Sequence, residues 1–110
     1  MNNSRDVWVF IEQEVGGIAA VSLELLSKAQ DLAQKLDSRV GAVLCGHEVS
    51  FLAEMVIHHG ADIVFLADHP ELATYRTLPY ARVVVSLVME RQPYIVLLGA
   101  SPVGLSLIHI

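Results

Sequence analysis

The chain has 110 residues, of which 54% are hydrophobic and 17% are charged, and its formal net charge is −5. This length suits one domain with a single core, and the acidic balance without runs of Lys or Arg argues against nucleic-acid and anionic-membrane partners. No apolar run approaches the ~18 residues of a membrane span, and the first residues, MNNSRD, lack the pattern of a secretory signal. Together with a lone cysteine, Cys45, these features predict a cytoplasmic protein without disulfides.

Four short runs rich in β-branched and aromatic residues predict strands at residues 7–11 (VWVFI), 40–44 (VGAVL), 63–67 (IVFLA) and 94–98 (YIVLL). The runs are continuous rather than alternating, as is typical of parallel strands buried on both faces. Three segments with helical periodicity separate them. This order predicts an α/β fold, a three-layer Rossmann-like parallel sheet with right-handed crossovers. We take 3-2-1-4 as the expected strand order of such a sheet.

Ser22 is the predicted N-cap of the first helix, because its hydroxyl can accept hydrogen bonds from the first turn. Six residues on one stripe of this helix are predicted to face the core: Leu25, Leu26, Ala29, Leu32, Ala33 and Leu36. The second helix is predicted over residues 50–59, with Gly60 at the left-handed position after a helix end. Its core-facing stripe is predicted to hold Leu52, Met55, Val56 and His59.

Thr77 is the predicted N-cap of the third helix, and Pro79 falls in its first turn, where a missing N–H costs little. Its predicted core-facing residues are Leu78, Ala81, Val84, Val85 and Val88. Tyr75 and Tyr80 flank this helix start, and we expect them to form a rigid corner in which a buried tyrosine finds a hydrogen-bond partner.

Residues 99–104, GASPVG, follow the fourth strand and have the G-x4-G spacing of a phosphate-binding loop. Ligands of open parallel sheets bind beyond the carboxyl ends of the strands, where the crossovers reverse direction. In the order 3-2-1-4, this crevice lies between residues 12–17, after the first strand, and residues 99–104.

Leu105 and Ser106 stand where a phosphate loop has Lys and Ser or Thr, and Pro102 removes one backbone donor. Two interpretations of the loop therefore stay open, a weak nucleotide site or a plain strand-to-helix turn. In the first, the candidate cofactor-binding residues are Gly99, Ala100, Ser101 and Gly104.

The remaining reactive residue types predict neither a metal site nor a catalytic site. His58 and His59 are adjacent on a helix, about 100° apart, so they cannot face one ion together. Cys45 ends the second strand among apolar residues and is predicted to be a core residue. Three carboxylates also lie at strand ends without a partner residue that would suggest catalysis: Glu12, Asp62 and Asp68.

Five stretches, in order and over nearly the whole chain, resemble the N-terminal domain of the electron transfer flavoprotein α subunit. They are VWVFIEQ (7–13), VSLELLSKAQDLA (21–33), VGAVLCGHEV (40–49), HGADIVFLADHPELATYRTLPYA (59–81) and YIVLLGAS (94–101). The resemblance implies a fold of the adenine nucleotide alpha hydrolase-like type that serves as a non-catalytic scaffold packed on a β subunit. It also implies that the complete heterodimer carries electrons through FAD from acyl-CoA or other dehydrogenases, as in fatty acid β-oxidation.

In the family, FAD belongs mainly to a C-terminal α domain, so the resemblance implies that this chain alone binds no cofactor. Members of the family continue after the glycine loop with Arg-Asp and a helix, whereas this chain has LSLIHI at residues 105–110. We therefore expect residues 1–104 to be an incomplete N-terminal domain and residues 105–110 to be a non-native or read-through tail. The alternative is a stand-alone nucleotide-binding domain similar to the universal stress proteins, whose longer loop, G-x2-G-x9-G-[ST], is not found here.

Overall fold

The computed structural model describes residues 5–14 and 17–108. In chain order the elements are β1 (Val7–Phe10), β2 (Gln13–Glu14), β3 (Gly17–Ile18), α1 (Ala20–Leu36), β4 (Val40–Gly46), α2 (Leu52–His58), β5 (Ile63–Asp68), a 3-10 turn (Pro70–Leu72), α3 (Thr77–Arg91), β6 (Ile95–Leu97) and α4 (Pro102–Ile108). No helix among the described residues has the length and apolar content that a membrane crossing requires.

The central sheet has four parallel strands in the order β5-β4-β1-β6, which confirms the predicted order 3-2-1-4. Val7 of β1 pairs with Val40 on one side and with Ile95 on the other. All four predicted strands are present, although β4 runs on to Gly46 and β6 is confined to Ile95–Leu97. The α/β fold class predicted from the sequence is therefore confirmed.

Helices cover both faces of the sheet, which explains the continuous apolar runs. Val7 and Val9 pack on the face covered by α1 and α2, whereas Trp8 and Phe10 pack on the face covered by α3 and α4. Every residue of β4 is buried. Gly41 of β4 lies under the Trp8 indole, since a Cβ at this position would be 2.7 Å from Trp8 Cδ1.

Ser22 is not the N-cap of α1, because that helix begins at Ala20 and its N-cap is Ala19, which makes no side-chain capping bond. The Ser22 hydroxyl is buried and accepts a hydrogen bond from the Glu12 N–H at 2.7 Å. Ser22 therefore satisfies the loop after β1 rather than its own helix. Most of the predicted stripe of α1 faces the core, but Leu36 is exposed.

Gly60 has a φ of +115°, which confirms the predicted positive φ after the second helix. Its N–H donates to the Ile57 carbonyl at 3.0 Å and so closes the end of α2. The prediction for the buried stripe is wrong for Met55 and His59, which are exposed. Because α2 ends at His58, His59 belongs to the cap and not to the packed face.

Helix α3 begins at Thr77, and its N-cap is Arg76, so the prediction of Thr77 as N-cap is wrong by one position. The Thr77 hydroxyl instead shares a hydrogen bond with the Ser106 hydroxyl in α4. Pro79 does lie in the first turn of α3, as predicted.

The predicted stripe of α3 is right for Ala81, Val84 and Val88, which are buried or pack against the core. It is wrong for Leu78 and Val85, which are 66% and 51% exposed, and it omits the buried Tyr80. Tyr80 donates its hydroxyl proton to the Leu72 carbonyl at 2.6 Å, which confirms the expected hydrogen-bond partner. Apolar residues occur on nearly every side of α3, so their periodicity alone does not select the packed face. The packed side includes Tyr80, which the sequence pattern did not single out as a core residue.

A hairpin, the 3-10 turn Pro70–Leu72 and a fourth helix were not predicted. A short antiparallel hairpin, β2 and β3, follows β1, while residues 15 and 16 of the loop predicted there lie outside the described residues. Helix α4 begins inside the glycine loop, and its Val103 and Leu107 pack on the cluster beneath α3. Residues 105–108 thus belong to a helix, residues 109 and 110 lie outside the described part, and the origin of the 105–110 segment stays a prediction.

Candidate functional site

Glu12 and Ser101 meet at the crevice that the strand order predicts, beyond the carboxyl ends of β1 and β6. The Ser101 hydroxyl lies 2.7 and 2.8 Å from the two Glu12 carboxylate oxygens and donates its proton to them. In turn, the Gly104 N–H donates to the Ser101 hydroxyl oxygen at 3.1 Å. The glycine loop is thus tied to the first loop by a chain of hydrogen bonds within the protein.

The two glycines of the loop are required by contacts inside the protein. A Cβ at Gly99 would lie 2.8 Å from Glu12 Oε2, and a Cβ at Gly104 would lie 1.8 Å from the Gly99 carbonyl oxygen. Both glycines are buried. Close packing of the loop on itself and on Glu12 therefore accounts for their presence without a ligand.

A phosphate group does not fit this arrangement. The Glu12 carboxylate already holds the Ser101 hydroxyl, and a second anion at this point would be repelled. Pro102 has no N–H to offer, and residues 99–104 contain neither Lys nor Arg. The same argument applies to the pyrophosphate of FAD, so the loop does not match the group that the family resemblance implies for the complete protein.

A cavity of about 180 Å³ lies beside the loop. Its lining comprises Phe10, Ile11, Glu12, Gln13, Ala73, Tyr75, Tyr80 and Val103. Ligand pockets commonly measure about 300–1,000 Å³, so this space is too small for a nucleotide. The hydroxyl of Tyr80 bonds to Leu72, and that of Tyr75 lies 3.2 Å from Ser106 Oγ. The polar atoms that face this cavity are largely engaged in holding the corner before α3.

The two other strand-end carboxylates have structural partners. Asp62 Oδ2 accepts the Val40 N–H at 2.8 Å, which joins the starts of β4 and β5. The Asp68 carboxylate accepts the N–H groups of Glu48 and Val49 at 2.8 and 2.9 Å. These backbone hydrogen bonds lower the pKa of Asp68. Both residues therefore hold loops and strands together.

Cys45 is fully buried, and burial raises the pKa of its thiol to about 12. A thiol in this state is neither a nucleophile nor a metal ligand at neutral pH. Within residues 5–14 and 17–108, no three residues among His, Cys, Asp and Glu converge in a way that could hold a metal ion. Cys45 is a core residue, as the sequence predicts.

Of the four candidate residues, the structure brings Gly99, Ser101 and Gly104 together with Glu12, whereas Ala100 is exposed. The sequence predicts Glu12 as a lone carboxylate, whereas in the structure its carboxylate contacts the Ser101 hydroxyl. The signal for this contact was available, because the predicted strand order already put residues 12–17 opposite residues 99–104. Whether any of these residues binds a cofactor stays a prediction.

The sheet order, the helices on both faces and the crevice at the reversal point define a Rossmann-like α/β domain. Its crevice is closed by its own side chains. The sequence profile of the electron transfer flavoprotein domain matches residues 7–109, and the chain belongs to this family.

Several curated relatives are similar over most of the chain. The electron transfer flavoprotein subunit alpha of Thermoanaerobacterium thermosaccharolyticum is 42% identical over 104 residues, covering 94% of this chain and 32% of the relative. The corresponding subunit of Clostridium acetobutylicum is 44% identical over 100 residues, covering 91% of this chain and 30% of the relative. The acryloyl-CoA reductase electron transfer subunit beta of Anaerotignum propionicum is 41% identical over 104 residues, with 94% and 28% covered. The chain therefore spans about a third of the length of these relatives.

Proposed function

We propose that the chain is the N-terminal scaffold portion of an electron transfer flavoprotein α subunit, and that it has no catalytic site of its own. The observation that carries this proposal is the family match over residues 7–109. It is supported by identities of 42% and 44% with two α subunits over at least nine-tenths of the chain. Relatives are named as electron transfer subunits, which supports a carrier rather than an enzyme.

In this proposal, the complete protein pairs with a β subunit and shuttles electrons through FAD from acyl-CoA or other dehydrogenases in the cytoplasm, as in fatty acid β-oxidation. FAD is held by other parts of the complete protein. The closed glycine loop supports this division, because the hydrogen bond between Ser101 and Glu12 leaves no cradle for a pyrophosphate. The flavin, when bound, supplies the redox chemistry, and the described residues supply a rigid sheet on which a partner can pack.

Two measurements on the 110-residue chain test the proposal. Calorimetric titration of the 110-residue chain with FAD is expected to give no binding heat. The positive control is the full-length α subunit of Clostridium acetobutylicum with its β subunit, freed of flavin, for which binding heat is expected. Co-expression with an electron transfer flavoprotein β subunit is expected to yield a complex on gel filtration. Stoichiometric FAD binding by the chain alone, or the absence of any complex with the β subunit, contradicts the proposal.

A further inference from the structure

A groove of about 510 Å³ runs between strand β5 and helix α3, away from the crevice described above. It is lined by Phe65, Leu66, Ala67, Arg82, Val83, Ser86 and Leu87. Strand β5 is an edge of the sheet and has β4 as its one neighbour within the described part of the chain. Its outer side therefore presents backbone N–H and C=O groups that no strand of this sheet pairs.

The lining shows that the groove follows the strand edge. Phe65, Leu66 and Ala67 are consecutive, and successive side chains of a strand point to opposite faces of the sheet. Because β5 is an edge strand, three consecutive lining residues indicate that the groove lies along this edge. The opposite wall is one side of α3, with Val83 and Leu87 one helical turn apart. An exposed strand edge beside a helix is the geometry in which an extended peptide adds as a further strand.

The chemistry of the groove indicates what such a peptide carries. Leu66 is 43% exposed, and the Arg91 guanidinium lies 5.6 Å from the Phe65 ring centroid. Arg82 is exposed and has no hydrogen-bond or ion-pair partner among residues 5–14 and 17–108. Apolar residues next to an unpaired arginine match the composition of protein interfaces.

Asp68 and Glu71 line a neighbouring cavity together with Arg82, but among the described residues neither carboxylate forms an ion pair with it. The Asp68 carboxylate at the end of β5 accepts the N–H groups of Glu48 and Val49, on the loop after β4. Helix α3 carries Arg82 and Arg91 against a single acid, Glu90, although the chain as a whole has a net charge of −5. Among the described residues, Arg82 is the one charged residue in the lining of the groove, so the groove itself complements a carboxylate.

We propose that this groove is a docking site for an extended segment of a partner polypeptide that adds to β5 as a strand. The segment places an apolar side chain against Leu66 and a carboxylate beside Arg82. This inference stands on the geometry of β5 and α3 and does not depend on the proposed function.

A titration followed by nuclear magnetic resonance tests the inference. The probe is a blocked octapeptide that alternates valine and threonine and carries one aspartate near its centre. Its control has lysine in place of the aspartate. We expect the aspartate peptide to shift the amide signals of β5 and of the facing side of α3, and to slow amide exchange in β5. The lysine peptide is expected to bind more weakly, because it meets Arg82 with a like charge.

Matched variants test the role of the arginine. Arg82→Glu is expected to lower the affinity for the aspartate peptide by about fivefold or more, which corresponds to the loss of one partly exposed ion pair. Lys28→Glu, at an exposed position of α1 on the other face of the sheet, makes the same charge change and is expected to leave binding unchanged. Arg82→Gln replaces the first variant if circular dichroism shows that Arg82→Glu does not fold.

Three results would overturn the inference. The first is no binding of the aspartate peptide to the folded chain at millimolar concentration, and the second is signal shifts confined to residues outside β5 and α3. The third is a concentration-dependent dimer that pairs β5 of one copy with β5 of another, since the occupant would then be a second copy of this chain.

Discussion

Ser101 and Glu12 are 89 residues apart in the sequence, yet the Ser101 hydroxyl lies 2.7 Å from Glu12 Oε1. The contact joins the loop after β6 to the loop after β1, so it ties the last part of the chain to the first strand. It also gives the Gly104 N–H an acceptor at 3.1 Å. A single hydroxyl therefore serves two groups at the crevice.

We expect Ser101→Ala to lower the free energy of unfolding by about 1–2 kcal/mol, because a partly buried carboxylate and an N–H lose their partner. Urea denaturation followed by the fluorescence of Trp8, the one tryptophan of the chain, measures this change. Ser27→Ala, at an exposed position on α1, is the control and is expected to stay within ~0.5 kcal/mol of the parent chain. Equal effects of the two substitutions would show that the Ser101 contact does not stabilise the fold.

Gly104→Ala tests the packing of the glycine loop. A Cβ at Gly104 would lie 1.8 Å from the Gly99 carbonyl oxygen, so the start of α4 must shift. We expect a loss of about 2–3 kcal/mol, in the range of overpacked sites. Gly17→Ala is the matched control, since nothing lies within 4 Å of a Cβ there. A melting temperature unchanged by Gly104→Ala would be incompatible with the packing described for this loop.

Tyr80 fixes the corner before α3 through a hydrogen bond and through its ring. Tyr80→Phe removes the bond to the Leu72 carbonyl and is expected to cost about 1 kcal/mol. Tyr80→Ala also removes a buried ring that contacts Phe10 and Tyr75, and it is expected to cost about 3–5 kcal/mol. Thermal denaturation of both variants separates the two contributions. If Tyr80→Ala cost no more than Tyr80→Phe, the ring would have no role in packing.

Because the Cys45 thiol is buried, we expect the chain to lose stability in alkaline solution. Burial raises the pKa of its thiol from 9.0 to about 12, so the folded chain keeps the proton at pH values where the unfolded chain releases it. The protonated Cys45 thiol makes its full contribution to the free energy of unfolding below pH 9, and this contribution is lost as the pH rises towards 12. Between these pH values, the free energy of unfolding is expected to fall by about 1.4 kcal/mol per pH unit.

Two variants separate the groups that titrate there. Cys45→Ala is expected to remove most of this slope, although it also lowers stability at neutral pH by removing a buried sulfur. Burial also raises the pKa of Tyr80. Tyr80→Phe therefore measures how much the Tyr80 hydroxyl contributes to the loss of stability above pH 10. A slope that survives in Cys45→Ala would mean that another group causes the alkaline loss.

The sequence was sufficient for the strands, because buried parallel strands are the strongest pattern in this chain. The expected order of the strands is confirmed, although the apolar runs alone do not determine it. The sequence was insufficient for the buried face of α3, where Leu78 and Val85 are exposed. Apolar residues on nearly all sides of that helix do not select its buried face, which includes Tyr80 with its hydrogen bond to the Leu72 carbonyl. The predicted N-cap of α1 was wrong because the Ser22 hydroxyl accepts a hydrogen bond from the Glu12 N–H in a neighbouring loop.

The candidate site was predicted in position but not in character. The strand order located the crevice between the loops after β1 and β6, and the spacing of Gly99 and Gly104 favoured a phosphate. Neither feature shows that the Glu12 side chain turns toward Ser101, because a pairing across 89 residues leaves no local pattern. The sequence shows which residues form the loop at 99–104, but it does not show in which direction the Glu12 side chain on the other loop points.

The contact between Glu12 and Ser101 has a thermodynamic consequence. A protein that binds a ligand in its folded state gains stability as the concentration of that ligand rises. Here the crevice carries its own anion in the Glu12 side chain, so this part of the fold is complete without a small molecule. Its stability is then expected to be independent of the nucleotide concentration of the cell.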